Sequence, residues 1–202
     1  MKSRAKPVVD TAFRDKLMTE RSSTEHIAVP SGGLRLGLPP LMPPSARALV
    51  LGSMPGEASL AARQYYAHPR NAFWPIMARW IGFDAAAPYA ERMAALSAAG
   101  IALWDVLAAC EREGSLDTAI APASMRINDF AALFATCPGV RRVGFNGALA
   151  ERLFRRAVLP TIERPVLALL RLPSTSPAHA GRSLAAKIEA WGALFAPNDD
   201  AP

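Results

Sequence analysis

The residues best suited to catalysis or ligand binding lie close together, between Tyr65 and Trp74, in the segment YYAHPRNAFW. An asparagine amide both accepts and donates hydrogen bonds, so Asn71 is suited to holding a water molecule. The ring of Tyr66 is suited to stacking on a planar ligand. A structural alternative is open for each residue, because Asn71 can cap the helix that follows and Tyr66 can belong to the core.

Two further sets of candidate residues follow short apolar runs. The first is the turn Gly52-Ser53-Met54-Pro55-Gly56, whose glycines let a ligand approach the backbone closely. It is not a nucleotide-binding P-loop, because no Gly-Lys-Ser/Thr follows. The second is Asp105, a carboxylate that either accepts a hydrogen bond from a ligand or caps the next segment. Taken alone, the turn at residues 52–56 and the position of Asp105 are each also explained by an ordinary turn or cap after a strand.

The elements that must position these loops alternate between strand and helix. Apolar runs predict buried strands over residues 46–51, 101–106, 140–145 and 166–172. Helices are predicted over residues 72–81, 89–98, 128–135, 147–156 and 182–195, with Asn71 and Asn128 as N-caps. This order predicts an α/β fold, a three-layer α/β/α sandwich with a central four-stranded, mainly parallel sheet. Ligands of such sheets bind at the carboxyl ends of the strands, here the loops that start at Gly52, Asp105, Asn146 and Leu172.

Composition limits the partners and cofactors. The chain carries 23 Lys+Arg against 17 Asp+Glu, a formal charge of +6 that favours a polyanion such as nucleic acid. The 2 cysteines lack CxxC spacing, so we expect no metal and no other cofactor. No signal peptide or membrane-spanning run is seen, so we expect a cytoplasmic protein without a membrane partner. We interpret residues 1–30 as a flexible tail and residues 31–202 as one domain.

Several motifs in a consistent order resemble one known family. The turn G-x-x-P-G, followed by aromatic-Ala-His-Pro-x-Asn-x-Phe-Trp, looks like the mismatch-specific uracil/thymine-DNA glycosylases. The later segments GIALWDV, GSLD, FNG and LPSTSPAHA are more similar to the hypoxanthine-DNA glycosylase branch of the uracil-DNA glycosylase superfamily, also called DNA-deoxyinosine glycosylase. The resemblance covers about residues 39–195. It implies a single-domain DNA-repair enzyme whose partner is damaged duplex DNA with a flipped base.

The sequence departs from part of this family at Met54. Mismatch-specific enzymes hold an asparagine at this position to place the attacking water, and the uracil-specific enzymes hold an aspartate. Methionine can do neither, because a thioether is no useful acceptor. In the hypoxanthine branch the resemblance assigns the water to the asparagine that is Asn71 here, so we expect Asn71 to be the catalytic residue. The alternative is a protein that binds damaged DNA without cleaving it.

The resemblance implies base-binding roles for several other positions. Tyr66 is expected to stack on the flipped base, and Asp105 with Asn146 to contact its polar edge. Asp105 can accept from N1–H of hypoxanthine or from N3–H of uracil, so it does not choose between the two bases. The remaining predicted base-binding residues are Gly52, Ser53 and Met54.

The segment from Leu172 to Ala180 stands where the superfamily carries the loop that enters the minor groove. The predicted DNA-binding residues are Leu172, Pro173, Ser174, Thr175, Ser176, His179 and Arg70. Uracil-specific enzymes begin this loop with a polar residue, and the leucine here cannot polarise a departing base. A phosphate-binding rim is expected from the nearby basic residues, which are Arg63, Arg70, Arg171, Arg182 and Lys187. A proline-bounded turn with solvated surface charges is the structural alternative.

The sequence therefore predicts a monomeric glycosylase that hydrolyses the N-glycosidic bond of a deaminated base, with hypoxanthine as the first choice. None of the motifs contains a lysine, so we expect a monofunctional enzyme that leaves an abasic site. The alternative within enzymes is a uracil or mismatch-specific uracil-DNA glycosylase. A small-molecule hydrolase is disfavoured, because no G-x-S-x-G elbow and no metal-ligand spacing is present.

Overall fold

The computed structural model describes residues 33–163 and 167–196. Its strands are β1 (Leu34–Leu36), β2 (Ala48–Gly52), β3 (Ile101–Asp105), β4 (Leu107–Glu111), β5 (Arg126–Ile127), β6 (Arg142–Asn146) and β7 (Ala168–Leu172). Its helices are α1 (Glu57–Ala62), α2 (Phe73–Ile81), α3 (Tyr89–Ala98), α4 (Phe130–Thr136), α5 (Ala148–Leu153) and α6 (Leu184–Trp191). No helix among these residues is long and apolar enough to cross a membrane.

The main sheet has 4 strands in the order β3-β2-β6-β7, and every neighbouring pair is parallel. All residues of the central strand β2 are buried, as expected for an apolar run with a strand on each side. Helices flank this sheet, and the predicted α/β sandwich with a four-stranded parallel sheet is confirmed. The proline-rich segment before β2, residues 38–44, adds one antiparallel bridge, between Leu41 and Leu103.

A second, antiparallel sheet of 3 short strands, in the order β1-β4-β5, was not predicted. Strand β4 begins only one residue after β3, because Val106 alone separates Asp105 from Leu107. Its apolar residues therefore continue the β3 pattern, and the sequence gives no sign of a separate strand. The two partner strands are 3 and 2 residues long, too short to show a periodicity.

The N-cap of helix α4 differs from the prediction. Helix α4 is capped by Asp129, whose side chain accepts from the Ala132 amide, rather than by Asn128. Asn128 instead donates through Nδ2 to the Asp105 carbonyl over 2.9 Å, which ties the end of β3 to the start of α4. The predicted tail, residues 1–30, lies outside the described residues, so the proposed division of the chain stays a prediction.

Candidate active site

The parallel register brings the predicted loops to one edge of the main sheet. Gly52 pairs with Asp105, and Asn146 pairs with Leu172, so each lies at the carboxyl end of its strand. A cavity of about 340 Å³ opens at this edge. Its lining includes the predicted residues Gly52, Ser53, Met54, Tyr66, Asn71, Asp105, Asn146, Ser174, Thr175, Ser176 and His179.

One side of the cavity, which we call the β2–β3 wall, consists of residues 52–57, Asp105 and residues 115–117. Ser53 donates through Oγ to Asp117 Oδ1 over 2.6 Å, and the Glu57 amide donates to Ser115 Oγ over 2.9 Å. These bonds attach the turn after β2 to the segment at residues 115–117. The wall is therefore built from two chain segments that are far apart in the sequence.

Asp105 is the buried acid of this wall, with 3% of its surface exposed. Burial raises the pKa of Asp105 to about 7, an effect that the Arg112 charge opposes and the Asp117 charge increases. Its Oδ2 atom is buried and has no hydrogen-bond partner among the described residues. Gly52 leaves room for this carboxyl, because a Cβ at position 52 would collide with Asp105 Oδ1. Asp105 is thus placed to exchange a hydrogen bond with a ligand.

Arg112 stabilises the β2–β3 wall and is only 2% exposed. Its Nη2 donates to the Pro55 carbonyl, and its Nε donates to the Gly114 carbonyl over 3.0 Å. Arg112 therefore joins the turn after β2 to the chain just before residue 115. The sequence alone does not identify this residue, because a lone arginine after a short strand resembles an ordinary surface charge.

The two adjacent tyrosines have different roles. Tyr65 is buried, its amide donates to the Tyr89 hydroxyl and its carbonyl accepts from Trp74 Nε1, each over 3.0 Å. Tyr66 lies in the left-handed region with φ 54°, a costly conformation for a bulky side chain. Its ring stacks on Phe73 with 3.9 Å between centroids. Tyr65, Phe73 and Trp74 all belong to the hydrophobic core.

The Tyr66 hydroxyl is a second buried polar group at the cavity without a hydrogen bond of good geometry among the described residues. Burial and the nearby Asp105 carboxylate raise the pKa of Tyr66 well above its usual range, and the neighbouring Asn146 amide lowers it. Tyr66 therefore stays a neutral phenol. It lies on the cavity beside Asp105, with one face of its ring covered by Phe73.

Asn71 lies on the cavity and also acts on the helix that follows it. Its Oδ1 accepts from the Phe73 amide over 3.0 Å, but the N-cap of helix α2 is Ala72, so the predicted N-cap position of Asn71 is one residue too early. An amide oxygen has two lone pairs, and the second can accept from a water. The preceding turn is held by His68, whose Nδ1 accepts from the Arg70 amide over 3.1 Å and whose carbonyl accepts from the Asn71 amide over 2.8 Å.

The other side of the cavity, which we call the β6–β7 wall, consists of Asn146 and residues 174–179. Asn146 donates through Nδ2 to Thr175 Oγ1 and accepts at Oδ1 from the Thr175 amide, both over 2.8 Å. The Thr175 carbonyl accepts from the Ala72 amide over 3.0 Å. Thr175 therefore connects the loop after β7 both to the end of β6 and to the loop that carries Asn71.

Helix α6 holds both ends of the loop after β7. Trp191 donates through Nε1 to the Pro173 carbonyl, and Lys187 donates through Nζ to the His179 carbonyl, each over 2.9 Å. Burial lowers the pKa of Lys187. Between these two contacts, the Ser174 and Ser176 hydroxyls accept from backbone amides within the loop, over 3.3 Å each. The loop is thus held at several points.

Several predicted residues differ from expectation in their burial, contacts or position. Leu172 is 3% exposed and packs over Gly144, so its side chain supports the loop from inside the core. Thr175 is 1% exposed, and its hydroxyl serves the internal contact with Asn146. Met54 packs with Leu107 in a small apolar cluster. Arg70 is exposed but does not line the cavity, and Arg171 pairs with Glu151.

Comparisons with known proteins agree with this arrangement. The family model of the Uracil DNA glycosylase superfamily matches residues 39–195. The chain belongs to the uracil DNA glycosylase superfamily. The predicted family and the predicted class of enzyme, a DNA glycosylase of base-excision repair that acts on damaged DNA, are therefore confirmed.

Relatives within the superfamily extend this assignment. The chain is 41% identical over 112 residues to a protein of Methanosarcina barkeri named Hypoxanthine DNA glycosylase, covering 55% of this chain and 70% of that protein. It is 36% identical over 118 residues to a protein of the same name from Methanosarcina acetivorans, covering 58% and 73%. A solution NMR structure from Methanosarcina acetivorans, described as a candidate uracil DNA glycosylase, aligns with a TM-score of 0.66 and 32% identity over 81% of this chain and 97% of that one.

Proposed function

We propose that this glycosylase removes hypoxanthine from DNA by hydrolysing its N-glycosidic bond, with Asn71 positioning the water. One observation carries the proposal: one cavity is lined by Asn71, Tyr66 and Asp105, and Oδ2 of Asp105 has no hydrogen-bond partner among the described residues. The names of the two Methanosarcina relatives support hypoxanthine as the base. A flipped base in this cavity can meet an acceptor, an aromatic ring and a water-binding amide at once.

Each residue has a defined part in the proposed reaction. The free lone pair of Asn71 Oδ1 accepts from the water that attacks the sugar, while its other lone pair keeps the Phe73 contact. The bond between sugar and base breaks through an oxocarbenium-like state. The base leaves with the bonding electron pair, the water oxygen bonds to the anomeric carbon, and the proton that this water loses neutralises the released base. Ionised Asp105 accepts from N1–H of the base, and Tyr66 presents its ring to the base. Gly52 and Ser53 let the base approach the backbone at the end of β2, and Asn146 completes the edge of the pocket.

For DNA binding we propose the exposed part of the β6–β7 wall. Ser174, Ser176 and His179 are at least partly exposed and line the cavity, so they are placed to contact the backbone of the strand that carries the damaged base. A neighbouring depression is lined by Pro173, Arg171, Arg182 and Lys187, and the exposed Arg182 extends this surface for phosphates. We propose that the enzyme does this work as a monomer in the cytoplasm.

The test is a gel cleavage assay on duplexes that contain inosine, uracil or a G·T mismatch. We expect cleavage of inosine in the wild-type protein and a loss of at least about 100-fold for Asn71→Ala, because a positioned water makes a contribution of this order. Asn71→Asp keeps an oxygen that accepts from Phe73 and from the water, so it should retain much more activity. Retained activity in Asn71→Ala would refute the assigned mechanism, and preference for uracil would refute the proposed substrate.

A damaged-DNA-binding protein without catalytic activity is the second candidate. The observation that favours it is the burial of Met54 in an apolar cluster, which leaves no polar side chain at a position where related enzymes hold the water. Binding to every damaged duplex, with no abasic product from any of them, would select this candidate. The same assay therefore decides between the two functions.

A further inference from the structure

A second depression, of about 320 Å³, adjoins the cavity across the loop that carries Asn71. Three residues of this loop line both the cavity and the depression, and they are Tyr66, His68 and Asn71. The lining also includes Gln64, Trp74 and Arg92, and it contains no carboxylate among the described residues. We call it the Arg92 depression. Its chemistry therefore favours an anionic ligand.

Arg92 supplies the positive charge of this depression and is only partly exposed. Its Cζ atom lies 4.5 Å from the centre of the Trp74 ring and 5.6 Å from that of the Tyr89 ring, so the two rings hold the guanidinium in place. Among the described residues Arg92 has no ion pair, and its buried Nε has no hydrogen-bond partner. Burial lowers the pKa of Arg92, as expected for a cation without an anionic partner. The donors of this guanidinium are therefore available to a ligand.

His68 adds a neutral hydrogen-bond donor to the Arg92 depression. Its Nδ1 accepts from the Arg70 amide over 3.1 Å, so the neutral imidazole carries its proton on Nε2. The side-chain amide of Gln64 is a further donor on the same lining. An arginine with neutral donors and no carboxylate is a donor set that suits a phosphate group, because a guanidinium binds two phosphate oxygens at once.

The Arg92 depression adjoins the cavity, so a DNA strand whose base enters the cavity passes close to it. Most contacts that orient a protein on DNA are made to the sugar–phosphate backbone. We propose that the Arg92 depression binds a backbone phosphate of the strand that carries the flipped base, close to that nucleotide, with Arg92 and His68 as donors. This proposal deepens the proposed function and rests on its DNA binding, but it does not require the base to be hypoxanthine.

The first measurement is binding to a duplex that contains a tetrahydrofuran abasic analogue, which a glycosylase cannot cleave. Arg92→Gln removes the cation. Arg79→Gln is the matched control, because Arg79 is exposed on α2 and lines neither the cavity nor the Arg92 depression. We expect Arg92→Gln to weaken binding by about tenfold, since a charge-assisted hydrogen bond contributes an effect of this order. The magnitude of the slope of log Kd against log salt concentration should fall by about 0.9, the value for one phosphate contact. Arg79→Gln should weaken binding by less than about twofold.

The second measurement locates the phosphate. Single neutral methylphosphonate linkages are placed in turn at each position around the analogue, on either strand. In the wild-type protein, one linkage within about two nucleotides of the analogue on its own strand should weaken binding by about tenfold. Arg92→Gln should bind that duplex as tightly as the unmodified one, because the interaction is already lost. Arg79→Gln should show the same loss as the wild-type protein.

The two measurements separate a lost contact from a damaged fold. A misfolded Arg92 variant would bind every duplex more weakly and would still lose affinity at the neutral linkage, whereas a variant that lacks only the phosphate contact would not. Equal losses in the Arg92 and Arg79 variants, additive losses at every linkage, or wild-type protein that does not bind the analogue would overturn the proposal. Neither measurement needs cleavage, so a positive result stands even if inosine is never cut, in which case only the proposed function fails.

Discussion

The β2–β3 wall and the β6–β7 wall face the same cavity but offer different chemistry. The first contains the buried carboxyl of Asp105, with one oxygen unpartnered among the described residues. The second contains Asn146, whose amide is occupied on both sides by Thr175. Polar groups left without partners are costly when buried, so Asp105 is the group that gains most from a ligand. The occupied amide of Asn146 instead holds the loop in place.

The same contrast separates binding the base from holding the DNA. A carboxyl whose pKa is about 7 can donate or accept near neutral pH, which suits the edge of a base with both a donor and an acceptor. The hydroxyls and backbone of the loop at residues 174–179 suit the repetitive sugar–phosphate backbone. Damage to the first wall should therefore change chemistry and base choice, whereas damage to the second should change DNA binding.

The largest effect is expected from Gly52→Ala. The new methyl group would collide with Asp105 Oδ1 and lie 3.5 Å from the Tyr66 hydroxyl, so it would displace the carboxyl and fill the end of the cavity. We expect kcat/KM on inosine-containing duplex to fall by about 100-fold or more, with a stability loss of about 1–3 kcal/mol from overpacking. Gly56→Ala is the matched control, because its Cβ would meet only Ser115, at 3.3 Å. Similar kinetics for the two variants would contradict the assigned role of position 52.

The second-largest effect is expected from Asp105→Asn, and it is measured as a change in the pH dependence of stability. Because the pKa of Asp105 in the folded protein is about 7 against an ordinary value of 3.8, the native state binds a proton more tightly than the unfolded state. Asp105 therefore makes the wild-type free energy of unfolding fall as pH rises from about 4 to about 7, and contributes no further change above that. Asparagine removes this fall, so the variant should gain stability relative to wild type between pH 5 and pH 8 in denaturant titrations.

Activity provides the second readout of Asp105→Asn. If the ionised carboxyl accepts from N1–H of hypoxanthine, wild-type kcat/KM should rise as pH increases through about 7. The asparagine variant should lose this rise, and its kcat/KM at pH 8 should be lower by about tenfold or more. A wild-type profile that falls through the same pH range would show that the protonated carboxyl is the active form and that it donates to the base.

The sequence predicted the main sheet well, because each of its four strands is a short apolar run at the expected position. Strand β2 was predicted over residues 46–51 and lies at Ala48–Gly52. Helix α3 was predicted with its observed bounds, Tyr89–Ala98. Helix α1 was missed, since a helix of 6 residues shows too little periodicity to be recognised. The predicted start of the last strand, Val166, lies outside the described residues.

The cavity was only partly predictable. Residues at strand ends, such as Asp105 and Asn146, could be placed because parallel strands carry their ligand sites at the carboxyl edge. Arg112 was not predicted as a site residue, since it acts through a segment that returns to the cavity after β4. The motif GSLD at residues 114–117 indicated the family but no role for its side chains. Leu172 and Thr175 were predicted to contact DNA, but both are buried, and only the packing of α6 and β6 against their loop shows this.

The smallest effect is expected from Thr175→Val, which keeps the side-chain volume but removes the acceptor of the Asn146 Nδ2 bond. The Asn146 amide loses a buried partner, so stability should fall by about 1–2 kcal/mol. The loop at residues 174–179 should become less ordered, which we expect to raise KM for duplex DNA by about threefold to tenfold while kcat changes less than about twofold. Thr175→Ser, which keeps the hydroxyl, is the control and should resemble wild type. A fall in kcat with unchanged KM would show instead that Thr175 acts on the chemistry, through its carbonyl contact with the Ala72 amide beside Asn71, and the division of labour between the two walls would be wrong.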